Sequence, residues 1–176
     1  MTGDGARVDA ALDALRERFG EVTVEPERTE VDAGYLDRLR ERAAGGWLGG
    51  AGAWVADGER VLFVRHEADP ETWRLPGGHH DPGETLVETA ERTVQAATGV
   101  QPTVEDVWLV RRRTLVGPEG ESVAALDAWF EAVPETQGYA ITDEAVLDVR
   151  WFGPDDPPAT LADEAVAERV SEWRVD

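Results

Sequence analysis

Cysteine is absent and every basic residue is arginine, which leaves carboxylates, three histidines and guanidinium groups as the side chains able to do chemistry. Residues 75–100, LPGGHHDPGETLVETAERTVQAATGV, set His79 and His80 beside Asp81, Glu84, Glu88, Glu91 and Arg92. Gly77, Gly78 and Gly83 suit special backbone geometry, and Gly99 suits a left-handed helix cap. His79, His80 and Asp81 follow; two neutral imidazoles and a carboxylate suit a transition metal, and a solvated loop is the plainer reading.

Outside this stretch, Arg111-Arg112-Arg113 is the one basic run in an acidic chain. Strand alternation sets Arg111 and Arg113 on one face and Arg112 on the other. Arg111 is therefore a candidate for binding a substrate phosphate, the alternative being an ion pair with one of the surplus acids. Trp73, just before the glycines, either stacks on a base or joins the core.

These residues need a scaffold, and the apolar periodicity supplies one. Val8, Leu12, Leu15 and Phe19 form a helical stripe stopped by Gly20, and Leu36, Leu39 and Ala43 mark a second helix over 31–44 ended by Gly45-Gly46. Strands are expected at 47–56 and 61–65 around the Asp57-Gly58 turn, and a short one at Trp73-Arg74-Leu75. A helix over about 85–98 follows, opened by a Thr85/Glu88 capping box, with Glu88, Glu91 and Gln95 on a solvated face. Strands at about 104–116 and 122–133 flank Gly117-Pro118-Glu119-Gly120, and another covers 146–152. A last helix, with Thr160 and Asp163 as its capping box, turns Val166, Val170 and Trp173 inward. The expectation is an α/β (α+β) fold, a mixed sheet between helices, with residues 1–46 a helical extension and 47–176 the main domain.

Residues 75–100 also resemble the Nudix box, G-x5-E-x7-R-E-U-x-E-E-x-G-U with U aliphatic. Gly78, Glu84, Arg92, Val94, Gly99 and Val100 fall on its positions in register, and 143–152 resembles the strand that follows the box. Three positions depart: Thr93, Ala96 and Ala97 stand where the box has glutamates.

The resemblance implies a Nudix fold and a hydrolase of a small nucleoside-diphosphate-linked substrate, with Mg²⁺ or Mn²⁺ neutralising the phosphates and activating water. It assigns catalytic roles to Glu84 and Arg92, a metal role or a loop-supporting role to Glu84, and substrate contacts to Gly77 and Gly78. Arg92 is expected to pair with Glu84. Asp143 and Glu144 lie where some relatives carry a base on a loop, and Glu144 is the one assigned here. Glu88 and Glu91 point too far around the helix from positions 93, 96 and 97 to replace the lost glutamates. The rival expectation is a silent Nudix module that binds a nucleotide or a protein.

A net charge of −20 opposes capture of nucleic acid polymers or anionic membranes, and it resembles halophilic proteins. No secretory pattern and no run of 18 apolar residues occurs, so a cytoplasmic protein is expected.

Overall fold

A computed structural model describes residues 3–175, with side chains to Trp173. Helix α1 (Gly3–Phe19) leads to strand β1 (Val24–Glu30) and helix α2 (Ala33–Ala44), and then to β2 (Gly49–Asp57), β3 (Arg60–His66), β4 (Asp69–Arg74) and β5 (Gly77–His79). Helix α3 (Leu86–Thr98), β6 (Val100–Val116), β7 (Ser122–Gln137), β8 (Val146–Phe152) and α4 (Glu164–Val175) complete the chain. The strands join in the order β1-β6-β7-β2-β3-β4, with β5 added on β2 and β8 on β3. Pairings β1/β6 and β2/β7 are parallel and the others antiparallel, so the sheet is mixed, as expected.

Three apolar clusters seat the helices. Val8, Leu12 and Leu15 of α1 and Leu86, Ala90 and Val94 of α3 pack with Val110, Leu126 and Phe130. Leu36, Leu39 and Ala43 of α2 meet Leu115, Val123 and Ala125. Val166 and Val170 of α4 meet Trp54, Phe63 and Phe152. Leu126 and Ala125 are sequence neighbours in different clusters, because alternate side chains leave opposite faces of the sheet.

Several elements differ from expectation. β1, with the sequence VEPERTE, has no apolar alternation, yet it forms a parallel edge of the sheet against β6 and gives the first 46 residues a strand between their helices. Such charged, proline-bearing sequence suits an edge strand, which must not recruit other chains. α2 starts at Ala33, because Asp32 caps it by accepting from the Tyr35 amide at 2.8 Å. Likewise α4 is capped by Asp163 itself, whose Oδ1 accepts from the Ala165 amide at 2.9 Å, so Thr160 is not the cap. The Thr85/Glu88 capping box of α3 forms reciprocally, and Gly99 closes that helix at φ 74°.

Candidate functional site

The box segment is built in three steps. β5 pairs antiparallel with β2, Gly77 opposite Gly52 and Gly78 opposite Ala51. A side chain at Gly77 would stand 2.6 Å from the Ala51 carbonyl, so glycine is required for that approach. Next, buried His80 fastens the loop: Nδ1 accepts from the Leu48 amide at 3.1 Å and Nε2 lies 2.8 Å from the Glu84 carbonyl. A donor on one side and an acceptor on the other match the tautomer with its proton on Nε2, and use both nitrogens that a metal would need. Finally, Glu84 and Arg92 lock loop to helix. Arg92 Nε donates to Glu84 Oε2 at 2.6 Å, and its Nη2 donates to Glu84 Oε1 at 2.9 Å and to the His79 carbonyl at 2.8 Å.

Glu84 also accepts from the Asp81 amide and the Thr89 hydroxyl, both at 3.0 Å. Hydrogen bonding from Arg92 is the largest influence on its carboxyl; with those donors it outweighs burial and holds the pKa at about 2. The expected Glu84–Arg92 pair is present.

Beside α3 lies a groove of about 510 Å³, lined by Glu84, Glu88, Glu91, Arg92, Gln95 and Ala96, and by Gln101, Ala140 and Thr142. Glu88 and Glu91 therefore share one groove with Glu84 and Ala96, where helical angles alone had turned them away. Of the three departing box positions only Ala96 opens into the groove: Thr93 is 7% exposed and Ala97 fully buried. Thr93 Oγ1 donates to the Thr89 carbonyl at 2.8 Å. The amides of Thr142 and Asp143 both donate to the Ala96 carbonyl, at 2.9 and 3.1 Å, which ties the 138–145 loop to the end of α3.

The other expected site residues lie elsewhere. Glu144 is exposed and does not line the groove. Trp73 packs edge-on to Phe152 at 4.8 Å with Arg65 5.0 Å above its ring, and Arg111 is held by both oxygens of Asp163. As alternation required, Arg112 pairs with Asp9 of α1 while Arg111 and Arg113 take partners on the other face.

The donor set does not fit a divalent ion at the box helix. Positions 93, 96 and 97 offer one hydroxyl, already donating, and two methyl groups, while Glu84 is engaged by four donors. Among the described residues no group of three His, Asp or Glu is placed to hold a metal.

A second polar group was not anticipated. Asp127 on β7 bonds Arg113 at 3.3 Å; burial is the main influence on its carboxyl and raises its pKa, against the Arg113 charge. Partial desolvation, then the Arg42 charge, lowers that of His79. A lone aspartate inside the apolar run SVAALDAWFEA is the signal that would have found it.

Among described residues no helix is long and apolar enough to cross a membrane. A stretch of 60 residues is 37% identical to an RNA pyrophosphohydrolase of Erythrobacter litoralis, covering 32% of this chain and 37% of that protein, so the match spans little more than a third of the relative. The fold is similar to that of a NUDIX hydrolase from Nitrosomonas europaea, with a TM-score of 0.57 at 19% identity over 74% of this chain and 73% of that one. It is also similar to the dihydroneopterin triphosphate pyrophosphohydrolase of E. coli, with a TM-score of 0.51 at 18% identity over 71% of this chain and 92% of that one. The NUDIX domain family matches residues 47–173, and with the box in register on a glycine-built turn and capped helix, the chain belongs to the Nudix hydrolase family.

Proposed function

We propose that the protein cleaves the diphosphate bond of a small nucleotide-like substrate bound along the α3 groove. The observation that carries this reading is the intact Glu84–Arg92 lock, which holds the glycine turn against the helix beside a groove of about 510 Å³. That lining carries three carboxylates against one guanidinium, so a diphosphate enters with its charge already balanced, as a magnesium or manganese salt. The cation belongs to the substrate. Arg92, with part of its surface open, contributes positive charge to the phosphates, while its bonds to Glu84 fix its position.

A second reading is a module that binds such a ligand without turning it over. Thr93, Ala96 and Ala97 favour it, because oxygen ligands for a cation are missing where the family has glutamates. Product release from nucleoside triphosphates, nucleoside diphosphate sugars and dinucleoside polyphosphates, with Mg²⁺ or Mn²⁺ in molar KCl, separates the two. Turnover that falls in Glu84→Gln supports the hydrolase. No product above the blank from any of these leaves the binding module.

A further inference from the structure

Across four neighbouring strands, Arg111, Asp127, Gly50 and His79 stand in one row: Arg111 opposite Asp127, Asp127 opposite Gly50, and Gly50 opposite His79. Paired residues in a sheet project from the same face, so Asp127 and His79 face one another across a strand that contributes no side chain. With strands about 4.8 Å apart, the backbones of β7 and β5 stand about 10 Å from one another across Gly50. The gap between them cannot be filled from Gly50, where a methyl group would stand 2.9 Å from the Gly78 carbonyl. Asp127 Oδ1 lies 3.5 Å from the same point, so it is aimed over the gap, while Oδ2 is the oxygen bonded to Arg113. The His79 ring makes no hydrogen bond among the described residues; only its backbone carbonyl is engaged, by Arg92. Trp129, two residues beyond Asp127 on the same face, lies against Gly52 and extends the wall with an aromatic surface.

The charges here narrow the ligand. Arg111 and Arg113 are both paired with aspartates, and the Arg42 guanidinium, whose charge also reaches His79, lies over the Trp47 ring. Two ligands on opposite sides of a strand are too few for a metal. What the gap presents is a hydrogen-bond acceptor on one side, an imidazole on the other, and an apolar plate beside them. A flat heterocycle with N–H donors on one edge and ring acceptors on the opposite edge satisfies all three. Guanine has this arrangement, with N2–H₂ on one side and N7 and O6 on the other; uracil has not.

We infer that the gap over Gly50 binds the base of the substrate and selects guanine, Asp127 accepting from its amino edge and His79 donating to N7. This rests on the substrate being nucleotide-like, as in the proposed function. The gap and the α3 groove lie on opposite faces of the sheet at β5, whose Gly78 faces Thr93 and whose His79 faces Asp127, so one extended ligand would pass over the glycine turn.

The test uses nucleoside monophosphates, which have no diphosphate bond to cleave. Calorimetric titration of the full chain with GMP and UMP in molar KCl is expected to show GMP at least tenfold tighter. His79→Ala, at an exposed position, and Asp127→Asn are each expected to weaken GMP at least tenfold and to leave UMP unchanged. A smaller preference for GMP, unaltered GMP binding in His79→Ala, or no binding of either nucleotide overturns the inference. If Asp127→Asn does not fold, judged by circular dichroism, His79→Ala decides alone. Hydrolysis without base preference sinks this inference and leaves the proposed reaction standing; base-selective binding without hydrolysis does the reverse.

Discussion

Arg92 grips Glu84 with two donors, Nε to Oε2 at 2.6 Å and Nη2 to Oε1 at 2.9 Å, and so bridges the eight residues between the glycine turn and the middle of α3. The same Nη2 also reaches the His79 carbonyl, so one guanidinium fixes both ends of the loop. This explains why the turn keeps its shape although the glutamates that follow Arg92 in the family are gone.

The lock makes stability depend on acid. The Glu84 carboxyl is held at about 2 in the folded chain against an ordinary 4.5, so the folded state binds fewer protons than the unfolded one between those values. Its contribution is complete above about pH 4.5 and lost as the pH falls through about 2. Urea unfolding of the parent and Glu84→Gln is expected to show a difference that is constant from pH 7 to 5 and shrinks steadily below. A difference that grows on acidification would contradict the assignment.

Arg92→Lys keeps the charge and removes the fork. Lysine cannot bond both carboxylate oxygens and the His79 carbonyl in one plane, so the turn loses its brace. Because the pair is partly open to solvent, with Arg92 42% exposed, the expected loss is modest. About 1 kcal/mol is the scale for such a site, read as a lower urea midpoint at unchanged slope. An unaltered midpoint would show that position 92 needs only a positive charge.

The box positions that depart from the family are physically unequal. Ala96 lines the groove, whereas Ala97 is wholly buried against the core. Ala96→Glu is therefore expected to fold within about 0.5 kcal/mol of the parent and to raise Mn²⁺ affinity, read by electron paramagnetic resonance. Ala97→Glu forces a carboxylate into packed surroundings and is expected to cost more than about 3 kcal/mol. Equal stability of the two variants would mean that α3 rolls to expose position 97.

Much of this was legible in the sequence, because the strongest signals are local. The 3.6-residue stripe of α1, the Asp57-Gly58 turn, the Thr85/Glu88 cap and Gly99 each depend on neighbours within a few residues, and each is found in place. β1 was not legible, since VEPERTE carries no apolar alternation and is held by parallel pairing to a strand about 85 residues away. The Glu84–Arg92 lock was implied by the resemblance to the Nudix box. The shared groove of Glu84, Glu88 and Glu91 was not, because its far wall is Ala140 and Thr142, brought in by the bonds of Thr142 and Asp143 to Ala96. Nor was the row from Asp127 to His79, which exists only once β7, β2 and β5 are side by side.

The surplus of acids predicts how the whole fold responds to salt. With a net charge of −20, folding brings carboxylates together that stand farther apart in the unfolded chain. Screening shortens the reach of this repulsion from about 10 Å at 0.1 M to about 3 Å at 1 M, and so favours the compact state. The exposed pairs, such as Arg150 with Asp156, weaken in the same salt, but each contributes about 1 kcal/mol or less, and 37 acids against 17 bases leave far more repulsion than attraction to screen. The thermal midpoint is therefore expected to rise as KCl goes from about 0.1 M to about 1 M. A flat or falling midpoint would mean that the Arg–Asp pairs, and not the surplus carboxylates, dominate the electrostatics of this chain.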